Sequence, residues 1–278
     1  MGMRIDSHQH FWLYAAAEYP WIDDAKDALK RDYVPADLAP LMAANGIDGT
    51  VAVQARQNPR ETEFLLELAD AEDFIRGVVG WVDLRARDVA AQLERFAPHP
   101  RIVGVRHIVH DEVDDRFMLG GGFLDGLALL NQFKLTYDLL LYPRHLRVAI
   151  DVVKRFPDQP FVLDHIAKPY IKDGILEPWA SEIRELATYE NVWCKVSGMV
   201  TEAAWKTWTG DDYAPYLDVV FDCFGIDRLM FGSDWPVCTL SGSYSEVVGI
   251  VRDYIAGLSD EEQTKVMGAN ARAFYGLP

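Results

Sequence analysis

Residues 3–12 read MRIDSHQHFW. A short β-prone start runs into two histidines, His8 and His10, with one residue between them. In a strand, residues i and i+2 project to the same face, so both imidazoles converge on one point where the strand ends. The pair gains meaning only if other strands end beside it. That requires a sheet whose strands all run the same way.

The rest of the chain supplies such strands. Seven further β-rich runs follow: GTVAVQA (49–55), RGVVGWVDL (76–84), IVGVRHIV (102–109), LTYDLLLY (135–142), FVLDHI (161–166), VWCKVSG (192–198) and RLMFGSDW (228–235). Most are almost continuously apolar, as parallel strands covered on both faces must be. Amphipathic stretches separate them. In HLRVAIDVVKRF (145–156), Leu146, Ala149, Ile150, Val153 and Phe156 fall at helical spacing, and ETEFLLELADA (61–71) and VAAQLERF (89–96) behave alike. Strand starts advance from about residue 5 to about residue 229 in seven steps of about 32 residues, the size of a βα unit. Eight units predict an α/β fold, a single-domain (β/α)8 TIM barrel over residues 1–278. An open doubly wound sheet is permitted by the same alternation. Two long connections, 13–34 and 199–216, follow strands 1 and 7 and are expected to wall or cover a site.

Composition narrows the partners. Half of the residues are hydrophobic, a quarter are charged, and the formal net charge is −16. Nucleic acid and anionic membranes would repel such a chain. Cys194, Cys223 and Cys238 are odd in number and lack tight metal-type spacing, so free thiols in a reducing compartment are expected. The opening MRID shows no apolar leader, and no apolar run approaches the roughly 20 residues of a membrane span. The expected location is cytoplasmic.

In a barrel all strand C-termini surround one mouth. The residues at those ends are His8, His10 and Trp12; Gln54; Trp81 and Asp83; Arg106 and His107; Asp138; Asp164 and His165; Lys195 and Ser197; and Asp234 with Trp235. A lone histidine at a strand end is ordinarily a satisfied structural group, and His-X-His alone is weak. His99, between prolines, reads as a surface residue, and His110 and His145 stay unassigned. Asp164 neighbours His165 and by strand alternation should face away from it. Asp234 taken alone could equally cap a turn. Together, however, His8, His10, His165 and Asp234 form a donor set suited to one divalent ion such as zinc. Asp234 could also serve as general base. Trp12, Trp81 and Trp235, with Trp205 and Trp208, offer flat faces for a small polar ring. Trp179 and Trp193 read as core.

These segments carry a resemblance. DSHQHFW (6–12), YPWI (19–22), RDYVPADL (31–38), GTVAVQA (49–55), VGWVDL (79–84), GVRH (104–107), LDHIAKP (163–169), NVWCKVSG (191–198) and MFGSDWP (230–236) appear in the order found in the amidohydrolase superfamily. Within it the chain resembles the amidohydrolase 2 branch of sugar lactonases, such as L-fuconolactonases and L-rhamnonolactonases. The resemblance implies a distorted barrel with His8, His10, His165 and Asp234 at its centre. Binuclear members carry a carboxylated lysine on strand 4 and a histidine on strand 5; GVRHIV and LTYDLLLY lack both. At most one ion is therefore expected, zinc if any, and lactonases of this branch can work without an obligatory metal.

The implied reaction opens a small-molecule sugar-acid lactone. Asp234 takes a proton from water and returns it to the ring oxygen, with His165, Arg106 and His107 as further catalytic candidates. Trp12, Gln54, Trp81, Asp138, Lys195 and Trp235 are the candidate substrate contacts. The same branch contains metal-dependent decarboxylases of small unsaturated or aromatic acids, the rival enzyme reading. A sugar- or zinc-binding barrel without turnover is the non-catalytic one.

Overall fold

A computed structural model describes residues 2–278. Eight parallel strands form one sheet in chain order: β1 Ile5–Gln9, β2 Gly49–Val53, β3 Ile75–Gly80, β4 Ile102–Ile108, β5 Thr136–Leu140, β6 Phe161–Leu163, β7 Val192–Val196 and β8 Leu229–Phe231. The helices between them are α1 Pro35–Ala44, α2 Pro59–Ala71, α3 Val89–Phe96, α4 Gly121–Leu130, α5 Leu146–Arg155, α6 Trp179–Ala187, α7 Met199–Glu202 and α8 Gly210–Phe224. After β8 come α9 Tyr244–Tyr254, α10 Asp260–Thr264 and α11 Asn270–Tyr275. The barrel closes where the end of β1 meets the segment beyond β8. His10 N–H donates to the Trp235 carbonyl (2.7 Å), Asp234 N–H to that of His8 (2.8 Å), and Ser7 Oγ to that of Phe231 (2.6 Å). The fold is a (β/α)8 barrel, and the open-sheet alternative falls.

Two apolar masses hold it. The larger lies between the strands and the helices. The smaller fills the lower barrel, where Ile5, Val51, Val53, Val79, Val103, Val162 and Met230 meet Ala271, Tyr275 and Leu277 from the C-terminal segment. The chain end thus plugs the bottom and leaves the strand C-termini open for chemistry. No helix among the described residues is long and apolar enough to cross a membrane.

Two departures from regular strand geometry set up the mouth. The register of β1 on β2 slips by one residue between Asp6 and Gln9, a bulge that re-aims the histidine end of the strand. After β6 the backbone turns left-handed at His165, Ile166, Ala167 and Lys168, with φ between 47° and 60°.

Candidate active site

Three imidazoles converge on one oxygen. Nε2 of His10, His165 and His8 lie 3.2, 3.8 and 3.9 Å from Asp234 Oδ1. Each ring is held from its other nitrogen. His10 Nδ1 donates to the Val53 carbonyl (2.7 Å), His165 Nδ1 pairs with Ser197 Oγ (2.9 Å), and His8 Nδ1 faces Asp164 Oδ1 (3.3 Å). A carbonyl only accepts, so the His10 proton sits on Nδ1 and its Nε2 presents a lone pair to a carboxylate. Two acceptors 3.2 Å apart need a proton or a cation between them. That contact, with three outer-held imidazoles presenting Nε2, is the donor pattern of a one-ion site. The donor atoms of His8, His10 and Asp234 all lie within 4.8 Å of one another. The residues therefore fit one divalent ion held by His8, His10 and Asp234, with His165 Nε2 beside them, 3.8 Å from Asp234 Oδ1. For His8 this requires Arg106 to let go of its Nε2.

The electrostatics favour neutral His8 and His165 rings beside an ionised acid. Burial holds the His165 imidazole well below the usual histidine range, against the pull of Asp234. Burial does the same for His8, with Lys195 and Arg106 adding to it and Asp164 opposing it. Burial pushes Asp234 upward, but His165, His10 and Lys168 outweigh it and hold the carboxyl below the usual carboxylate range.

Beneath these groups lies a sealed polar floor. Arg106 Nη1 donates to Asp164 Oδ2 (2.9 Å) and to His8 Nε2 (3.1 Å), and Nη2 to the Gln54 carbonyl. Lys195 Nζ pairs with Asp138 and with Asp164 Oδ1 (3.0 Å), and Tyr275 OH donates to Asp138 Oδ2 (2.9 Å). Two acids thus balance two bases out of reach of bulk solvent. Burial raises Asp138 to about 6; at Asp164 burial is overcome by Lys195, His8 and Arg106, which hold that acid well below its usual range.

Several sequence-based expectations are corrected here. Asp164 does not face away from His165. The strand ends at Leu163, and the left-handed turn replaces alternation, so both side chains point inward. Lys195, Asp138 and Gln54 are fully buried and belong to the floor, one layer below the mouth, rather than to a substrate-facing wall. Trp12 leaves the strand and packs edge-to-face against Trp21 and Tyr33 and tilted against Tyr19, its indole donating to the Arg31 carbonyl (2.9 Å). Trp235 packs edge-on against Phe11 and Tyr33. Trp81 donates to His107 Nδ1 (3.3 Å), and His107 in turn donates to Glu112 (2.7 Å) and stacks on Phe117. None of these four reaches the cavity wall. The shared reason is depth and direction: strand position identifies an inner layer, but not whether that layer is the exposed one.

Above Asp234, His165, His10 and Arg106 opens a cavity of about 1000 Å³. Its upper wall comes from loops. Residues 13–34 contribute Glu18, Trp21 and Lys26; residues 199–216 contribute Thr201, Glu202 and Trp205. Arg56, Gln57 and Asn58 follow β2, His110 and Asp111 follow β4, and Tyr142 follows β5. Trp208 instead donates to the Ser241 carbonyl (3.1 Å), and His145 and His99 pair with Asp115 and Asp70 away from the site. Lys168 lines the cavity and was missed, although it lies within the LDHIAKP segment. The signal was its distance from His165, three residues, which joins them only in a turn of about three residues per revolution.

That turn is costly. A left-handed L-residue costs about 1–2 kcal/mol. It persists because its surroundings over-determine it. Ile166 and Ala167 are fully buried, Trp179 Nε1 donates to the Ile166 carbonyl (2.7 Å), and Lys168 N–H to the His165 carbonyl (2.8 Å). Gly198 makes room: a Cβ there would lie 2.4 Å from His165 Nδ1.

A barrel with three histidines and an aspartate at its mouth defines a class of hydrolytic enzymes. The chain belongs to the amidohydrolase family, whose model matches residues 5–277. It is 42% identical to an L-fucono-1,5-lactonase of Burkholderia multivorans, over 100% of this chain and 97% of that protein. Identity to an L-fucono-1,5-lactonase of Burkholderia ambifaria is 38%, with coverage of 100% and 97%. A crystal structure of a Burkholderia multivorans amidohydrolase with bound zinc superposes with a TM-score of 0.96 at 42% identity, covering both chains entirely.

Proposed function

We propose that the chain hydrolyses a small sugar-acid lactone of the L-fucono-1,5-lactone kind to the open hydroxy acid. One observation carries the reading: three imidazole Nε2 atoms converge on Oδ1 of an ionised Asp234 at the base of a polar cavity. The end-to-end similarity to two lactonases supports it.

Asp234 removes a proton from water as the water oxygen bonds to the lactone carbonyl carbon. The ring C–O bond then breaks, and Asp234 returns the proton to the departing ring oxygen. Lactone plus water thus gives hydroxy acid, and Asp234 is regenerated. His10 and His165 orient the carboxylate and the water. A divalent ion, zinc first among them, would be held by His8, His10 and Asp234, with His165 beside them, and would supply Lewis acidity toward the carbonyl and a more acidic water. A lactone is a more reactive acyl donor than an amide, so a carboxylate base with a cationic donor suffices without an obligatory metal hydroxide. Trp21 and Trp205 offer flat faces to sugar C–H groups; Gln57, Asn58, His110 and Tyr142 offer hydrogen bonds to hydroxyls.

The decarboxylase reading is not favoured. Glu18, Asp111 and Glu202 on the wall balance Lys26, Arg56 and Lys168, whereas a planar anion calls for concentrated positive charge. The three free thiols suit a reducing compartment such as the cytoplasm. The test is a panel of five- and six-membered deoxy-sugar and pentose lactones, read by acid release with a pH indicator and by carbon dioxide release. Acid without carbon dioxide is expected. A protein inert toward every cyclic sugar ester would sink the reading.

A further inference from the structure

Resting on the lactonase reading, the geometry points to Lys168 as the catalytic cation, its ammonium donating to the carbonyl oxygen of the substrate as that oxygen takes on negative charge. The case begins with elimination. Four cationic side chains line the cavity: Lys26, Arg56, Arg106 and Lys168. Lys26 gives two of its three ammonium protons to Asp23 and the Trp21 carbonyl, and Arg56 is anchored through Nε and Nη1 to Glu61 and Glu18, so both are tied to the upper wall. Arg106 turns both terminal nitrogens to Asp164, His8 and the Gln54 carbonyl, and its remaining donor, Nε, is buried away from the cavity in a side chain only 2% exposed. Lys168 keeps two of its three ammonium protons free of protein acceptors, more than any other ammonium on the wall, and its charge is among those that lower Asp234. One of its three N–H donors goes to Glu202 Oε1 (3.1 Å), and the ammonium nitrogen stands over the Tyr142 ring, 5.9 Å from its centroid.

The backbone gives an independent reason. His165 and Lys168 are the first and last residues of the left-handed turn, and the Lys168 N–H donates to the His165 carbonyl (2.8 Å). With about three residues per revolution, positions i and i+3 stand over one another. An ordinary right-handed exit from β6 would send Lys168 elsewhere. The strained turn is therefore what delivers an imidazole and an ammonium together to the carboxylate that activates water. Electrostatics agree: Lys168 helps to hold Asp234 low and His165 neutral, so its charge is felt at the reacting centre. Glu202, on α7 in the connection between β7 and β8, is the positioning residue that fixes the ammonium.

The chemistry requires no proton transfer from Lys168. Its N–H bond strengthens as the water oxygen adds to the carbonyl carbon and the carbonyl electron pair moves to oxygen. The bond relaxes when that pair re-forms the carbonyl and the ring oxygen leaves with the proton from Asp234. In the product the same oxygen belongs to the carboxylate, so Lys168 should hold the product as well.

The test uses Lys168→Met, which keeps the length and removes the donors, with its folding checked by melting temperature. Two measurements are read: steady-state hydrolysis of the best lactone, and calorimetric titration with the corresponding aldonate. Loss of one oxyanion donor predicts a fall in kcat of about 10²–10³-fold with little change in KM. Aldonate affinity should fall by about tenfold or more. A folded variant with near wild-type kcat, a loss confined to KM, or unchanged aldonate affinity overturns the assignment. Should Lys168→Met fail to fold, Lys168→Leu, which also lacks a donor, takes its place with the same readouts. If the wild type opens no lactone, the lactonase reading fails, and the aldonate titration alone then decides whether Lys168 contacts the sugar acid.

Discussion

Asp234 must be an anion to act as a base, and its neighbours keep it one. Replacing it with Asn preserves the shape and removes the lone pair that accepts the proton, so Asp234→Asn should cost about 10²–10⁴-fold in kcat with the melting temperature nearly unchanged. Near wild-type turnover would refute the role. The sign of the pH dependence follows from the same surroundings. Burial raises the carboxyl, but His165, His10 and Lys168 lower it further, and a base with a depressed pKa stays ionised as the solution is acidified. The acid limb of kcat/KM should therefore lie below the ordinary carboxylate range; a limb near neutrality would contradict it. A bound cation would push the limb the same way. The metal expectation is separable: exhaustive chelation should leave substantial lactonase activity, and metal analysis before chelation should find no more than one zinc per chain. Complete loss restored by zinc alone would show the ion to be essential.

The decisive element is the turn after β6. Gly198 has φ +63°, and any Cβ would strike the His165 ring. Gly198→Ala should therefore lower stability by at least about 1 kcal/mol and displace the imidazole, with activity falling further than the loss of folded protein explains. Ala167→Gly provides the opposite probe. It relieves about 1–2 kcal/mol of left-handed strain against about 0.4–1 kcal/mol of added unfolded-state entropy, so its melting temperature should equal or exceed that of the wild type. A marked drop would mean that the Ala167 methyl, fully buried, matters more than the backbone strain. Both variants are read by calorimetry beside lactone turnover.

Over the whole molecule, the mouth stands on a polar floor that stands in turn on the chain terminus. Lys195 pairs with Asp138 and Asp164 away from bulk solvent, and Tyr275 from α11 donates to Asp138 Oδ2. Removing one partner of a buried pair leaves its counterpart unpaired at a cost of about 3–5 kcal/mol. Lys195→Met should lose that much in denaturant titration. A loss under 1 kcal/mol would mean that the floor is wet. Tyr275→Phe should lose about 1 kcal/mol, the worth of one hydrogen bond, although it lies on the far side of the barrel from the cavity.

Much of this was legible in the residues. Alternating apolar strands and amphipathic helices at about 32-residue spacing predict eight βα units. His8 and His10 on one strand, with His165 and Asp234 at later strand ends, indicate where those units must meet. Period and spacing are local properties, and a strand that buries both faces has little choice of partner. Depth and direction are not local. Lys195, Asp138 and Gln54 share the strand-end pattern of true mouth residues, yet sit one layer too low. Trp12 and Trp235 adjoin the site in sequence and turn their backs on it. Asp164 and Lys168 were misjudged or overlooked because a left-handed turn, costly in isolation, cancels the alternation that strand reasoning assumes. Only the packed barrel, with Trp179 and Gly198 holding that turn in place, sustains such strain; the chain itself determined which chemical groups are present and on which strands. Tertiary packing decided which of them face a substrate.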